Sequence, residues 1–383
     1  MDRALLLRAL AACTWNLTQA AFAQVTSGSP APPAAAPANV LVSVQPDPTY
    51  IEVGEQQQLN FEFIVENLSS DTLRLSSVEM AIFDKAGKLV LRRDVTGAGA
   101  SPGLLTIMPD RAFQPGAKGL FYNPFHQLAL DIPLYKMRYR ITFDRGGGKE
   151  PLEREIILTP RAWNPVAKLV LPSSKRLWVK HGHDFLSHHR RWNPYHPIAE
   201  SFGATAIFAR YGLDLLVVDQ DGNPRKGLTN SNDDYHGWGA ELRAPAAGTV
   251  VAAYDDDPDD DRSTGKSAFD PERLPKEPLH FYGNYVIIDH GNREFSVLGH
   301  LQQNSVPVRV GEKVRRGQFV GRLGTSGSAE FEPHLHYELR TGAGMNAEGL
   351  PAYFTDFSLL RGARRQPVRS GPINSGDIVL SDR

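Results

Sequence analysis

From residue 40 to about residue 345, apolar residues recur at every second position in short runs, and almost nowhere at helical spacing. Period-2 alternation buries one face of a strand, whereas a helix needs a period near 3.6. The chain is therefore expected to be all-β. Between residues 40 and 160 the strand-like runs are VLVSVQ, QQQLNFEFIVEN, LRLSSVEMAIFD, KLVLRRDV, YKMRYRITFD and EREIILTP. Turn signals separate them, among them Asp84 to Gly87 and the triplet Gly146 to Gly148. About seven strands in about 120 residues predict an immunoglobulin-like β-sandwich. No catalytic cluster stands out in it, so this part is expected to be a spacer or binding module.

Residues 161–360 carry a second set of strands: LDLLVVD, GTVVAAYD, GNYVIIDHG, REFSVLGHL, GQFVGRLG and PHLHYELR. Gly291-Asn292 predicts a hairpin between the third and fourth. Asp255 to Asp261 is acidic apart from Pro258 and opens a polar insertion. It lacks the ligand spacing of a calcium loop and is expected to be solvated. Residues 361–383, rich in Gly, Ser and Arg, are expected to be a tail.

The N-terminus is a separate matter. Residues 1–23 have the layout of an export signal, with an apolar segment and an Ala21-Phe22-Ala23 cleavage site. The alternative is a lipoprotein anchored through Cys13, since Leu10-Ala11-Ala12-Cys13 resembles a lipobox. Residues 24–39 are a Ser, Gly, Pro and Ala tether, expected to be disordered. No other apolar stretch is long enough to span a bilayer, so no transmembrane helix is expected in a mature chain.

Composition narrows the chemistry. Lys and Arg number 42 against 43 Asp and Glu, so the basic excess that nucleic-acid binding requires is missing. Cys13 is the only cysteine, which excludes disulfide scaffolds, thiolate metal sites and thiol nucleophiles from the rest of the chain. A metal would have to be held by His, Asp or Glu. Eleven of the twelve histidines follow residue 180, which places the chemistry in the second half. The sharpest motif is Pro333-His334-Leu335-His336-Tyr337-Glu338. On a strand His334 and His336 share one face while Leu335 takes the other.

The ordered series GNYVIIDHG, LGHL with His300, VRVGEKVRRGQFVGRLGTSG and EPHLHYE, from Gly283 to Leu339, resembles the zinc metallopeptidases of the lysostaphin and LytM type, family M23. The resemblance implies an M23-type antiparallel β-sheet peptidase domain over residues 161–360, which hydrolyses peptide bonds in peptidoglycan with one Zn2+ per chain. It implies zinc ligation by Asp214, in Tyr211-Gly-Leu-Asp-Leu215, and by His336, with His300 and His334 as the catalytic pair. Two positions depart from the family pattern. Where the first ligand histidine usually stands, four residues before the aspartate, this chain has Arg210, whose guanidinium cannot ligate a metal. Leu298 stands where a tyrosine is common. The chain is more similar to a branch with Ser-x-His-Arg-Arg upstream, here Ser187-His188-His189-Arg190-Arg191. On that pattern His189 is read as the first ligand, with His188 as the alternative. His181, His183, His196 and His236 match nothing in the pattern and are weaker candidates.

The expected function is thus an exported zinc endopeptidase whose partners are peptidoglycan peptides. An envelope protein is a candidate partner for the sandwich. The alternative is a catalytically inactive M23-like binding or regulatory module of the cell envelope.

Overall fold

In the computed structural model, the residues described are 39–100, 103–108, 112–265, 267, 269–328 and 332–382. The export signal, Cys13 and nearly all of the tether lie outside them. The fold is nearly all β. Among the described residues no helix is long and apolar enough to cross a membrane.

The first part is built mainly from two antiparallel sheets, with a third of four short strands, Arg161–Ala162, Tyr50–Val53, Gln57–Gln58 and Gln127–Leu128. Strands Val40–Gln45, Glu62–Asn67 and Lys118–Tyr122 form one. Strands Leu152–Leu158, Lys136–Asp144, Arg74–Phe83 and Leu89–Thr96 form the other, in that order. Alternation decides which side faces in. In Lys136–Asp144 the residues Met137, Tyr139, Ile141 and Phe143 are buried, while Lys136, Arg140 and Asp144 are exposed. The buried faces of both sheets meet in one core containing Phe61, Phe63, Phe121, Val78, Met80 and Tyr139. Glu62–Asn67 breaks the alternation, because only Glu66 is not fully buried. Its outer face is covered as well: Ile64, Leu120 and Tyr122 pack with Ile207 and, at the margin, Phe185 and Trp192. The second half of the chain thus lies directly on the three-stranded sheet.

That second half is organised by an eleven-stranded sheet. At its centre Asn284–Asp289, Phe295–Leu301, Leu335–Arg340, Leu213–Val217 and Leu177–His181 lie side by side, each antiparallel to the next. The expected hairpin is present, with Gly291, Asn292 and Arg293 all at positive φ. Burial of both faces is the reason Leu213–Val217 is apolar almost throughout, Asp214 excepted. An Asp at such a place needs partners, and the neighbouring strands supply them.

The segment 361–383, expected as a tail, instead contributes two strands to this sheet, Arg364–Gly371 and Ile378–Ser381. Arg364–Gly371 pairs with Phe354–Arg361, and Ile378–Ser381 bridges that strand to Leu177–His181. The acidic run is not free in solvent either. Asp255 accepts from the backbone N–H groups of Ser305 and Val306, and Asp259 from those of Gln303 and Thr325. Asp257 pairs with Arg273 and His280. These carboxylates fasten the insertion to the loops beside His300. Residues 39–383 form one unit, so the change of sheet near residue 160 is not a break between separate bodies.

Candidate metal centre

Strand register assembles the site. Asp214 lies opposite His336 on one neighbouring strand and opposite His181 on the other, and His336 also lies opposite Gly299, beside His300. His334 precedes its strand by one residue and lies two positions from His336, so the two imidazoles share a face as their spacing predicts. His189 comes from outside the sheet, from an irregular segment of turns. Gly212 lets it approach, since a Cβ there would lie 3.0 Å from the His189 ring.

The ligand atoms of His189, Asp214 and His336 all lie within 4.8 Å of one another, and all three residues are buried. His336 Nδ1 is 3.1 Å from Asp214 Oδ1, and its Nε2 is 2.7 Å from Glu338 Oε1. His189 Nδ1 is 3.2 Å from the carbonyl oxygen of Gly182, while Nε2 stands 3.3 Å from Asp214 Oδ1. The Nδ1–H of His189 donates to Gly182, leaving the lone pair on Nε2. His336 lies between two carboxylates and, when protonated, donates to both; a cation taking the place of the Nδ1 proton would leave Nε2–H on Glu338.

His189 Nε2 makes no hydrogen bond despite complete burial. A buried nitrogen without a partner costs free energy, and its convergence with His336 Nδ1 and Asp214 Oδ1 suits a cation. The donor set of two imidazoles and one carboxylate is the borderline-soft set that accepts zinc and leaves a fourth position open. Behind His336 stands a second layer of support, because Glu338 accepts from Tyr282 Oη at 3.1 Å, and Arg340 Nη1 donates to Tyr282 Oη at 2.8 Å. Such outer partners hold a ligand's tautomer and orientation.

Burial would raise the Asp214 carboxyl. The imidazoles of His189 and His334 and the hydrogen bond from His181 outweigh it, holding Asp214 well below the usual carboxylate range. It is an anion at neutral pH. Burial alone would lower His336, but its bonds to Asp214 and Glu338 raise it to about 9.

His334 and His300 complete the group. His334 Nδ1 donates to the carbonyl oxygen of Glu332 at 2.7 Å, leaving Nε2 at 3.7 Å from Asp214 Oδ1. His300 Nδ1 donates to the carbonyl oxygen of Ser326 at 2.8 Å. The two rings are 4.8 Å apart. Burial first, then the nearby His334 and His336, hold His300 well below its ordinary pKa, so it is neutral. His300 has φ 61°, a strained value for a residue with a Cβ. Gly283 guards its partner: at φ 59° it lies so close to Ser326 that a Cβ would fall 2.2 Å from the Ser326 oxygen.

These four histidines, His188 and Asp214 line a cavity of about 240 Å³ with one apolar wall, Trp192, Phe269 and Phe281. A larger cavity of about 510 Å³ lies between Gln45–Tyr50 and Glu348. It contains no histidine, so the chemistry singles out the smaller one.

The other oxygen of Asp214 faces two more histidines. His181 Nδ1 lies 3.2 Å and His188 Nε2 3.6 Å from Oδ2. The side chain of His188 is 58% exposed and that of His189 only 3%, which favours His189 in the buried set. His181, weak on sequence grounds, therefore belongs to the surroundings of the site. Its role depends on pairing opposite Asp214, which no local motif records. Glu338 was also missed, although its position two residues after His336 places it on the same strand face. His183, His196, His236, His280 and His290 are engaged elsewhere, with Glu52, the Ile198 N–H, Asp219, Asp257 and Ser296 respectively.

An all-β scaffold thus presents two buried histidines, one aspartate and two further imidazoles at one groove, a donor set that could hold a cation beside groups able to accept protons. Residues 234–347 match the family described as Peptidase family M23, and this part of the chain is an M23 peptidase domain. The match includes His300, His334 and His336, while His189 and Asp214 lie before it. Over 131 residues the chain is 33% identical to the peptidoglycan DD-endopeptidase ShyC of Vibrio cholerae, covering 34% of this chain and 26% of that protein. Over 59 residues it is 46% identical to the peptidoglycan DD-endopeptidase ShyA of the same organism, covering 15% of this chain and 13% of that protein. The aligned part is thus about a quarter of the length of ShyC and about an eighth of that of ShyA. Among solved structures, a zinc-containing peptidase from Vibrio cholerae is similar with a TM-score of 0.26 and 14% identity, over 78% of this chain and 83% of that one.

Proposed function

We propose that the chain is an exported, zinc-dependent endopeptidase that hydrolyses peptide bonds in peptidoglycan. The observation that carries this reading is the convergence of His189, Asp214 and His336 in a groove to which His300 and His334 also contribute. The likeness to two peptidoglycan endopeptidases supports the substrate class.

His189 Nε2, Asp214 and His336 Nδ1 would hold the zinc, which would supply a Lewis acid for the scissile carbonyl and for water. The chain's own groups do the rest. His334, with Nδ1–H committed to the Glu332 carbonyl, offers a basic Nε2 to the attacking water. His300, with Nδ1–H committed to Ser326, likewise has its lone pair on Nε2. It therefore serves the leaving amine by relaying a proton, and acts as an oxyanion donor only once protonated. The apolar wall of Trp192, Phe269 and Phe281 excludes water from one side of the groove.

Arg210 is what favoured an inactive binding module. It lies far from vacancy, in ion pairs with Glu62 and Glu348, and His189 stands beside Asp214 in its stead. That arrangement supports the enzyme. An envelope protein partner and export through residues 1–23 belong to the same proposal.

Purified sacculi incubated with the chain are expected to release new free amines, and a zinc chelator should stop the release. If no amines appear while a protein substrate is cut at defined sites, the substrate class is wrong. His189→Ala should lose zinc and His188→Ala should retain it in a metal titration. The reverse result would assign the ligand to His188.

A further inference from the structure

His189 is the one member of the ligand set that no strand carries. Residues 182–192 form only turns and bends, so no ladder of backbone bonds fixes where it stands. Besides the Gly182 carbonyl on His189 Nδ1, much of what fixes it comes from the N-terminal part of the chain. Arg190, the next residue, is completely buried. Its Nη2 donates to the Phe61 carbonyl at 2.8 Å and its Nε to Asn60 Oδ1 at 3.3 Å. Its Nη1 stands 3.8 Å from Glu62 Oε2. Arg210 donates both terminal nitrogens to Glu62, through Nη2 to Oε1 at 2.7 Å, and its Nε to Glu348 at 2.6 Å.

Two guanidinium groups and two carboxylates thus share one largely buried knot, with Glu62 at its centre. Desolvated charges persist only when paired, so the knot pins the chain on both sides of the site. Two further ties come from the N-terminal part, one from the three-stranded sheet and one from the strand Tyr50–Val53. Tyr122 Oη donates to the Arg191 carbonyl at 2.7 Å, with its ring under both Arg190 and Arg191. Glu52 holds His183 at 2.8 Å, buried.

We propose that the N-terminal sandwich is a working part of the metal centre, in which Glu62, Tyr122 and Glu52 are positioning residues that hold His189 where it meets Asp214 and His336. The proposal rests on the zinc reading above. It also gives Arg210 a purpose: the residue at the usual first-ligand position grips Glu62, the carboxylate that faces Arg190. A ligand held in place before metal arrives loses less freedom on binding.

The test is a zinc titration of the intact chain against a competing chelator, with thermal unfolding of the metal-free form alongside. Glu62→Gln is expected to weaken zinc affinity by about 10-fold or more, the range seen when support behind a ligand is removed. Tyr122→Phe removes one hydroxyl, keeps the ring, and should weaken affinity by about 5-fold. Val78→Ala, in the core of the opposite sheet, should lower the melting temperature and leave affinity unchanged. If Glu62→Gln does not fold, Tyr122→Phe decides. Unchanged affinity in the folded sheet variants, or an equal loss in Val78→Ala, overturns the proposal. A wild-type chain that takes up no zinc would instead refute the zinc reading itself.

Discussion

Alanine in place of His336 or Asp214 is expected to leave the chain without zinc at neutral pH, measured as bound metal per chain. Either change removes one of three protein donors. Replacing a group that merely supports a ligand already costs about 10–100-fold in affinity, and loss of the ligand itself exceeds that. Asp214 is the more damaging position. Its Oδ1 faces His189, His336 and His334 and its Oδ2 faces His181 and His188. Without that anion five imidazoles crowd a site in which the Glu338 carboxylate reaches only His336. Full metal occupancy in either variant would remove that residue from the ligand set.

His334→Ala and His300→Ala are expected to behave in the opposite way, keeping the metal and losing turnover. General acid–base catalysis contributes about 100-fold or more, and stabilisation of developing charge a similar amount. Each variant should therefore fall at least about 100-fold in kcat on peptidoglycan peptides, with zinc content unchanged. The two should differ in their pH profiles if His334 serves the attacking water and His300 the leaving amine. A variant with normal metal and near-normal cleavage would take its residue out of the mechanism.

The features legible in the sequence are those that local spacing dictates. Lys136–Asp144 was readable because one face meets the core and the other meets solvent. His334 and His336 were readable because a strand places i and i+2 together. Arg364–Gly371 was not, since all its residues but Val368 and Gly371 are exposed and an edge strand of that kind carries no apolar alternation. The contribution of His181 depends on the pairing of two strands more than thirty residues apart, and that of Glu62 on a contact across 148 residues. Neither leaves a local pattern. Arg210 was recognised as unable to bind metal, but its alternative role became visible only beside Glu62 and Glu348. The acidic run misled for a similar reason: its carboxylates accept from backbone N–H groups about fifty residues away.

The most direct test is the zinc content of the chain purified at neutral pH, alone and as His189→Ala. One zinc per wild-type chain and none in the variant is the predicted result; no zinc in the wild type, or one zinc retained without His189, would contradict the account.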